Sequence, residues 1–135
     1  MRVIVCGSRF ANCPENVWGW LDRWLAKCGN RPHDITLLVS DEVGVDAMAC
    51  EWAVARHVNV ETFATEWKRY GKEARRERNK VMVTVGKPNY TIAFTGGSCA
   101  TDMILGSKAR GLPVRLAEVI LYDEDRKVLK KHIAK

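Results

Sequence analysis

Five short apolar runs, each followed by a stretch of helical composition, constrain this chain more than any single motif does. They are Arg2 to Cys6, Ile35 to Val39, Val58 to Ala64, Tyr90 to Phe94 and Val114 to Val119. Ile35 to Val39 has the apolar continuity of a strand covered on both faces, whereas Val58 to Ala64 alternates. Between the first two runs, Pro14 opens a segment in which Val17, Trp18, Leu21, Trp24, Leu25 and Cys28 form one apolar stripe, and Gly29-Asn30 closes it. Trp20 falls off that stripe and suits either a partner interface or partial burial under a loop. Ala47 to Val54 is mostly apolar or small, Lys72 to Val83 holds neither Pro nor Gly, and Ala100 to Arg110 runs into Gly111-Leu112-Pro113. Strand and helix alternating in this way imply parallel strands joined by right-handed crossovers, with helices on both faces. The expected fold is α/β, a Rossmann-like three-layer sandwich around a mostly parallel five-stranded sheet.

A chain of 135 residues fits one domain, with a core over about 2–118 and a charged C-terminal extension over 119–135 that suits either a short helix or a hairpin. No apolar run approaches the ~20 residues needed to span a bilayer. Met1 to Cys6 reads as a first strand and not as a signal peptide, so a cytoplasmic location without a membrane partner is expected. The five cysteines are odd in number, scattered and without a C-x-x-C pair, which argues against a disulfide framework or a zinc site. No metal and no cofactor is expected. Cys99 differs from the others in lying in the first turn of a helix, where a thiolate is stabilised.

The net charge of +6 favours anionic ligands or nucleic acid. Lys68 to Lys80 holds seven basic and two acidic residues, an excess of five expected on one element. A helix there places Arg75, Arg78, Asn79 and Met82 on one face, two guanidinium forks and an amide suited to phosphate. Lys72, Arg76 and Lys80 point elsewhere, into solvent. Nucleic acid is the least favoured partner, because only Trp67 and Tyr70 interleave this segment as stacking platforms.

In sheets of this kind ligands bind beyond the carboxyl ends of the strands, where the strand order reverses. The loops at Gly7-Ser8-Arg9, Ser40 to Asp46 and Gly96-Gly97 should converge there. In Thr95-Gly96-Gly97-Ser98-Cys99-Ala100-Thr101-Asp102 a glycine pair stands at a strand-to-helix turn, which either cradles an anion on free N–H groups or serves the turn alone. Asp41, Glu42 and Asp46 are suited to ribose hydroxyls, a cation or acid–base work, and at least one of them should cap a helix. Asp102 is open to the same two readings.

In order along the chain, Val3 to Arg9, Gly44 to Ala53, Glu66 to Lys72, Arg78 to Met82 and Phe94 to Met103 resemble the YspA/YpsA-related branch of the SLOG superfamily over roughly residues 2–118. That superfamily includes the LOG phosphoribohydrolases and the DNA-binding protein DprA, and members of this branch occur in bacteria and their phages. The resemblance implies a Rossmann-like domain that binds a nucleotide-derived small molecule and self-associates into a homo-oligomer. It places Gly7, Ser8, Arg9, Ser40, Asp46, Arg75, Arg78, Asn79, Thr95, Gly96, Gly97, Ser98, Cys99 and Thr101 at the ligand, with Asp102 and Glu42 as the carboxylates for a LOG-like N-glycosidase alternative. Three departures bear on this expectation, of which the first two weaken a phosphate-bearing ligand without excluding it and the third argues against LOG-type hydrolysis. Ser40-Asp41-Glu42 stands where the family has a glycine pair and Ala, Thr95-Gly96-Gly97-Ser98-Cys99-Ala100 replaces Pro-Gly-Gly-x-Gly-Thr, and Met103 takes the place of the LOG acidic residue.

Overall fold

The structure, a computed structural model, describes residues 1–94, 98–117, 119–122 and 128–132, with side chains for 1–94 and 100–117. Five strands form one all-parallel sheet: β1 (Arg2–Cys6), β2 (Thr36–Ser40), β3 (Asn59–Phe63), β4 (Tyr90–Phe94) and β5 (Val114–Ala117), in the order β3-β2-β1-β4-β5. The connecting helices are α1 (Pro14–Lys27), α2 (Val45–Ala55), α3 (Trp67–Tyr70), α4 (Ala74–Thr84) and α5 (Ser98–Ala109).

The strand alternation sorts the core into two layers. Val3, Val5, Leu37, Val39, Ile92 and Phe94 pack against α1 and α2 on one face. Ile4, Cys6, Leu38 and Ala93 pack against Met82 and Val83 of α4 and Ala100 and Met103 of α5 on the other. The result is a three-layer Rossmann-like sandwich, whose central strands are apolar on both sides because helices cover both. One buried polar pair crosses the second layer, Thr91 Oγ1 to Ser107 Oγ at 2.8 Å.

The indoles explain much of the first layer. Trp24 Nε1–H donates to Tyr90 Oη at 2.8 Å and Trp52 Nε1–H to Asp22 Oδ1 at 2.8 Å, so two large rings are buried with their donors satisfied. Arg56 grips the same Asp22 carboxylate, Nε to Oδ1 at 2.8 Å and Nη2 to Oδ2 at 3.0 Å. Trp20 is half-buried edge-on against Phe94, with ring centroids 5.4 Å apart. Among the described residues its ring partner is thus a residue of the sheet.

Two expectations about elements change. The basic excess does not lie on one element: Gly71, at φ 55, separates α3 from a single 3-10 turn over Gly71–Glu73, and α4 starts only at Ala74. The last strand of the sheet stops at Ala117, and Val119 instead pairs with His132 in an antiparallel β6 (Val119–Tyr122) and β7 (Val128–His132). The described residues of the extension therefore form an antiparallel strand pair and not a helix.

Candidate functional site

Strand order reverses between β1 and β4, so the loops that follow β1 and β2 and the start of α4 meet at one end of the sheet. The β1 loop reaches this end by an unusually close approach to α2. A Cβ on Gly7 would lie 2.6 Å from Val45 Cγ2 and 3.0 Å from Phe94 Cβ. One on Gly44, at φ 89, would run into the Ser8 carbonyl oxygen and the Arg9 backbone. Val45 N–H donates to Ser8 O at 3.1 Å, so the first amide of α2 is already engaged. Ser8 Oγ accepts the Phe10 N–H at 3.0 Å, and the exposed Arg9 guanidinium lies 4.8 Å over the Phe10 ring.

A charged knot joins the β2 loop to α4. Arg75 Nε–H donates to both oxygens of Glu42 at 2.8 Å, and Arg75 Nη2 stands 2.7 Å from Oε1. Arg78 Nη1–H donates to Glu42 Oε2 at 2.8 Å and to Thr65 Oγ1 at 2.8 Å, while its Nη2–H donates to Asn79 Oδ1 at 3.0 Å. Asn79 Nδ2–H continues to Asp102 Oδ2 at 2.9 Å, and Arg76 Nε lies 3.9 Å from the other oxygen of Asp102. Burial acts to raise the Glu42 carboxyl, but hydrogen bonds from Arg75 and Arg78 outweigh it and hold Glu42 below the usual glutamate value. Asp102 also lines a hollow of about 180 Å³ between α4 and α5, together with Arg76, Asn79 and Met103.

Neither Asp41 nor Asp46 caps a helix. Asp46 lies in the first turn of α2 with its carboxylate turned back toward β2, accepting the Ser40 N–H at 2.9 Å. Burial raises it to about 6, against the bonds from Ser40 and the attraction of Arg78. Asp41 accepts the Thr65 N–H at 3.1 Å and the Thr65 hydroxyl at 2.7 Å, tying the end of β2 to the end of β3. The Ser40 hydroxyl accepts the Glu42 N–H at 3.2 Å.

Arg75, Arg78 and Asn79 do share a face directed at the strand ends, and Glu42, Thr65 and Asp102 meet them there. Arg76, expected to be merely solvated, reaches Glu73 at 3.4 Å and Asp102 at 3.9 Å. Thr101 stands on the exposed side of the first turn of α5. Met103 is a core residue, buried in one cluster with Ile4, Met82 and Ala93. Thr65 is the residue that sequence reasoning missed. Its only signal was its place two residues after β3, at the same end of the sheet as the other loops. The expectations for Thr95, Gly96 and Gly97, and for the side chains of Ser98 and Cys99, lie outside the described residues. Among the described residues no three His, Cys, Asp or Glu side chains come together to hold a metal ion, and no helix is long and apolar enough to cross a membrane.

This architecture has counterparts among known proteins. The X-ray structure of TM1055, a structural-genomics target, matches with a TM-score of 0.59 at 18% identity, over 84% of this chain and 71% of that one. At that identity the likeness concerns the fold. No curated protein matches the chain. The profile of the YspA, cpYpsA-related SLOG family matches residues 1–70, which contain the β1 loop, the β2 loop and Thr65. By that match over more than half its length, the chain belongs to the YspA, cpYpsA-related SLOG family.

Proposed function

We propose that the chain binds a nucleotide-derived small molecule, a nucleoside phosphate or ADP-ribose-like ligand, in the crevice at the C-terminal ends of β1, β2 and β4. The observation that carries this proposal is the delivery of Arg75, Arg78 and Asn79 by one face of α4 to the end of the sheet where strand order reverses. Guanidinium forks of fixed charge suit phosphate, and Asn79 and Asp102 offer an amide and a carboxylate to a sugar or base beside them. Gly7, Ser8, Arg9, Ser40, Asp46 and Thr101 complete the proposed set of ligand contacts, together with Thr95, Gly96, Gly97, Ser98 and Cys99. The hollow beside Asp102 is of a size for a sugar or phosphate, not for a whole nucleotide, so the ligand lies across several loops.

Calorimetric titration with nucleoside monophosphates and ADP-ribose tests this, with Arg9→Ala and Gly97→Val as site variants and circular dichroism as the check on folding. Binding that both folded variants weaken is the expected result. Tight binding that neither substitution changes places the ligand elsewhere.

The N-glycosidase alternative rests on one observation, the fixing of Asp102 by Asn79 at the wall of that hollow. Glu42, held ionised between two arginines, has no proton to donate and suits charge stabilisation only. Release of free base from a nucleoside monophosphate, lost in Asp102→Asn, is the measurement that decides for turnover.

A further inference from the structure

We infer that the Glu42 carboxylate occupies the seat of a phosphate group between Arg75 and Arg78, and that a phosphate-bearing ligand enters by displacing it. The inference rests on the ligand class proposed above and names where in the crevice its phosphate lies. Three guanidinium nitrogens from two residues converge on two carboxylate oxygens, Arg75 Nε and Nη2 and Arg78 Nη1, at 2.7 to 2.8 Å. That convergence serves carboxylate and phosphate alike.

The cradle does not depend on Glu42 for its shape. Arg78 is also held by Thr65 Oγ1 and by Asn79 Oδ1, and the Arg75 guanidinium lies 4.7 Å over the Trp67 ring. With Glu42 withdrawn, both forks keep a second support, so the seat stays organised and little ordering remains to be done on binding. A simple surface ion pair has no such supports.

Departure of Glu42 is also easy. Asp41 is pinned by its own N–H to Phe63 O at 3.1 Å and by its carboxylate to Thr65, and Val45 is pinned to Ser8. Rotation about the side-chain bonds of Glu42 therefore frees the seat while the loop backbone stays in place. The side chain retains 16% of its exposure, and the neighbouring Val43 faces solvent, so the exit leads outward.

Charge favours the exchange. Glu42 supplies one negative charge to two guanidinium groups, and a phosphate monoester dianion supplies two.

The test uses the full chain, inorganic phosphate and Glu42→Gln, which keeps the shape and removes the charge. Phosphate should bind the variant at least tenfold more tightly than it binds the wild type. Equal or weaker binding by a folded variant overturns the inference. Should Glu42→Gln fail to fold, carboxyl carbon NMR of the wild type gives the same decision. At the highest usable phosphate concentration the Glu42 titration should move up toward the ordinary glutamate range, and an unmoved titration overturns the inference. Adenosine monophosphate separates the two levels: equal binding by wild type and variant removes the Glu42 seat but keeps the ligand class, whereas binding by neither removes both.

Discussion

Replacing Asp46 by Asn should stabilise the chain at neutral pH, contrary to what removal of a buried, hydrogen-bonded side chain usually does. Asp46 is 6% exposed and is raised by burial from 3.8 to about 6. The folded chain therefore holds a proton there that the unfolded chain has already released, and the sign follows from linkage. The contribution of Asp46 to stability is fully present below pH 3.8 and is lost as pH rises through about 6. From 3.8 to about 6 is a little over two powers of ten in proton affinity, and at 1.36 kcal/mol for each the loss is about 3 kcal/mol. Asn keeps the carbonyl that accepts the Ser40 N–H and never ionises, so it escapes this loss. Urea unfolding of wild type and Asp46→Asn from pH 4 to 8 provides the assay, read as the difference between the two so that all other titrations cancel. That difference should grow in favour of Asn between pH 4 and 7, by up to about 3 kcal/mol, and then level off. A difference that is flat with pH, or that shrinks as pH rises, refutes the burial argument.

Gly7→Ala forces a Cβ to within 2.6 Å of Val45 Cγ2 and should destabilise by about 1–3 kcal/mol in urea unfolding, with Val45→Ala in the same chain recovering part of the loss. Thr91→Val strips Ser107 of its buried partner and should cost about 1–3 kcal/mol, whereas Thr91→Val with Ser107→Ala removes both hydroxyls and should cost less than the single change. The Asp22 carboxyl is lowered chiefly by its hydrogen bond from Arg56, so its contribution is present above the ordinary 3.8 and is lost as pH falls through the lowered folded value. The stability difference between wild type and Arg56→Ala should accordingly shrink on acidification, as followed by Trp fluorescence.

What the sequence revealed, and what it hid, divides by the reach of the interaction. Val3 to Cys6, Leu37 to Val39 and Ile92 to Phe94 announce strands covered on both faces, because burial is written in the residues themselves. The α4 face was legible for the same reason, since helical spacing alone brings Arg75, Arg78 and Asn79 together. The partners of the acidic residues were not legible. Asp41 is spent on Thr65, 24 positions on, and Glu42 on arginines 33 and 36 positions on, so nothing local marks these pairings. Asp46 reads as a candidate cap because it directly precedes a helical stretch, but the amide it satisfies belongs to the strand before it. Gly7 and Gly44 were visible only as turn residues, whereas the close approach of two loops that requires them is a tertiary fact.

Thr65 has a single hydroxyl hydrogen and gives it to Asp41, which leaves only its lone pairs for Arg78. The bond sequence from guanidinium to hydroxyl to carboxylate therefore runs in one direction and cannot be reversed, because arginine has no lone pair to accept with. Polarisation is handed along such a row of bonds, so any drain on the Arg78 charge also weakens the hold of Thr65 on the turn at Asp41. Two segments far apart in the chain thereby sense one another through the placement of one hydrogen atom, and serine, which keeps that atom, is the natural replacement at position 65, where valine, of the same shape, is not.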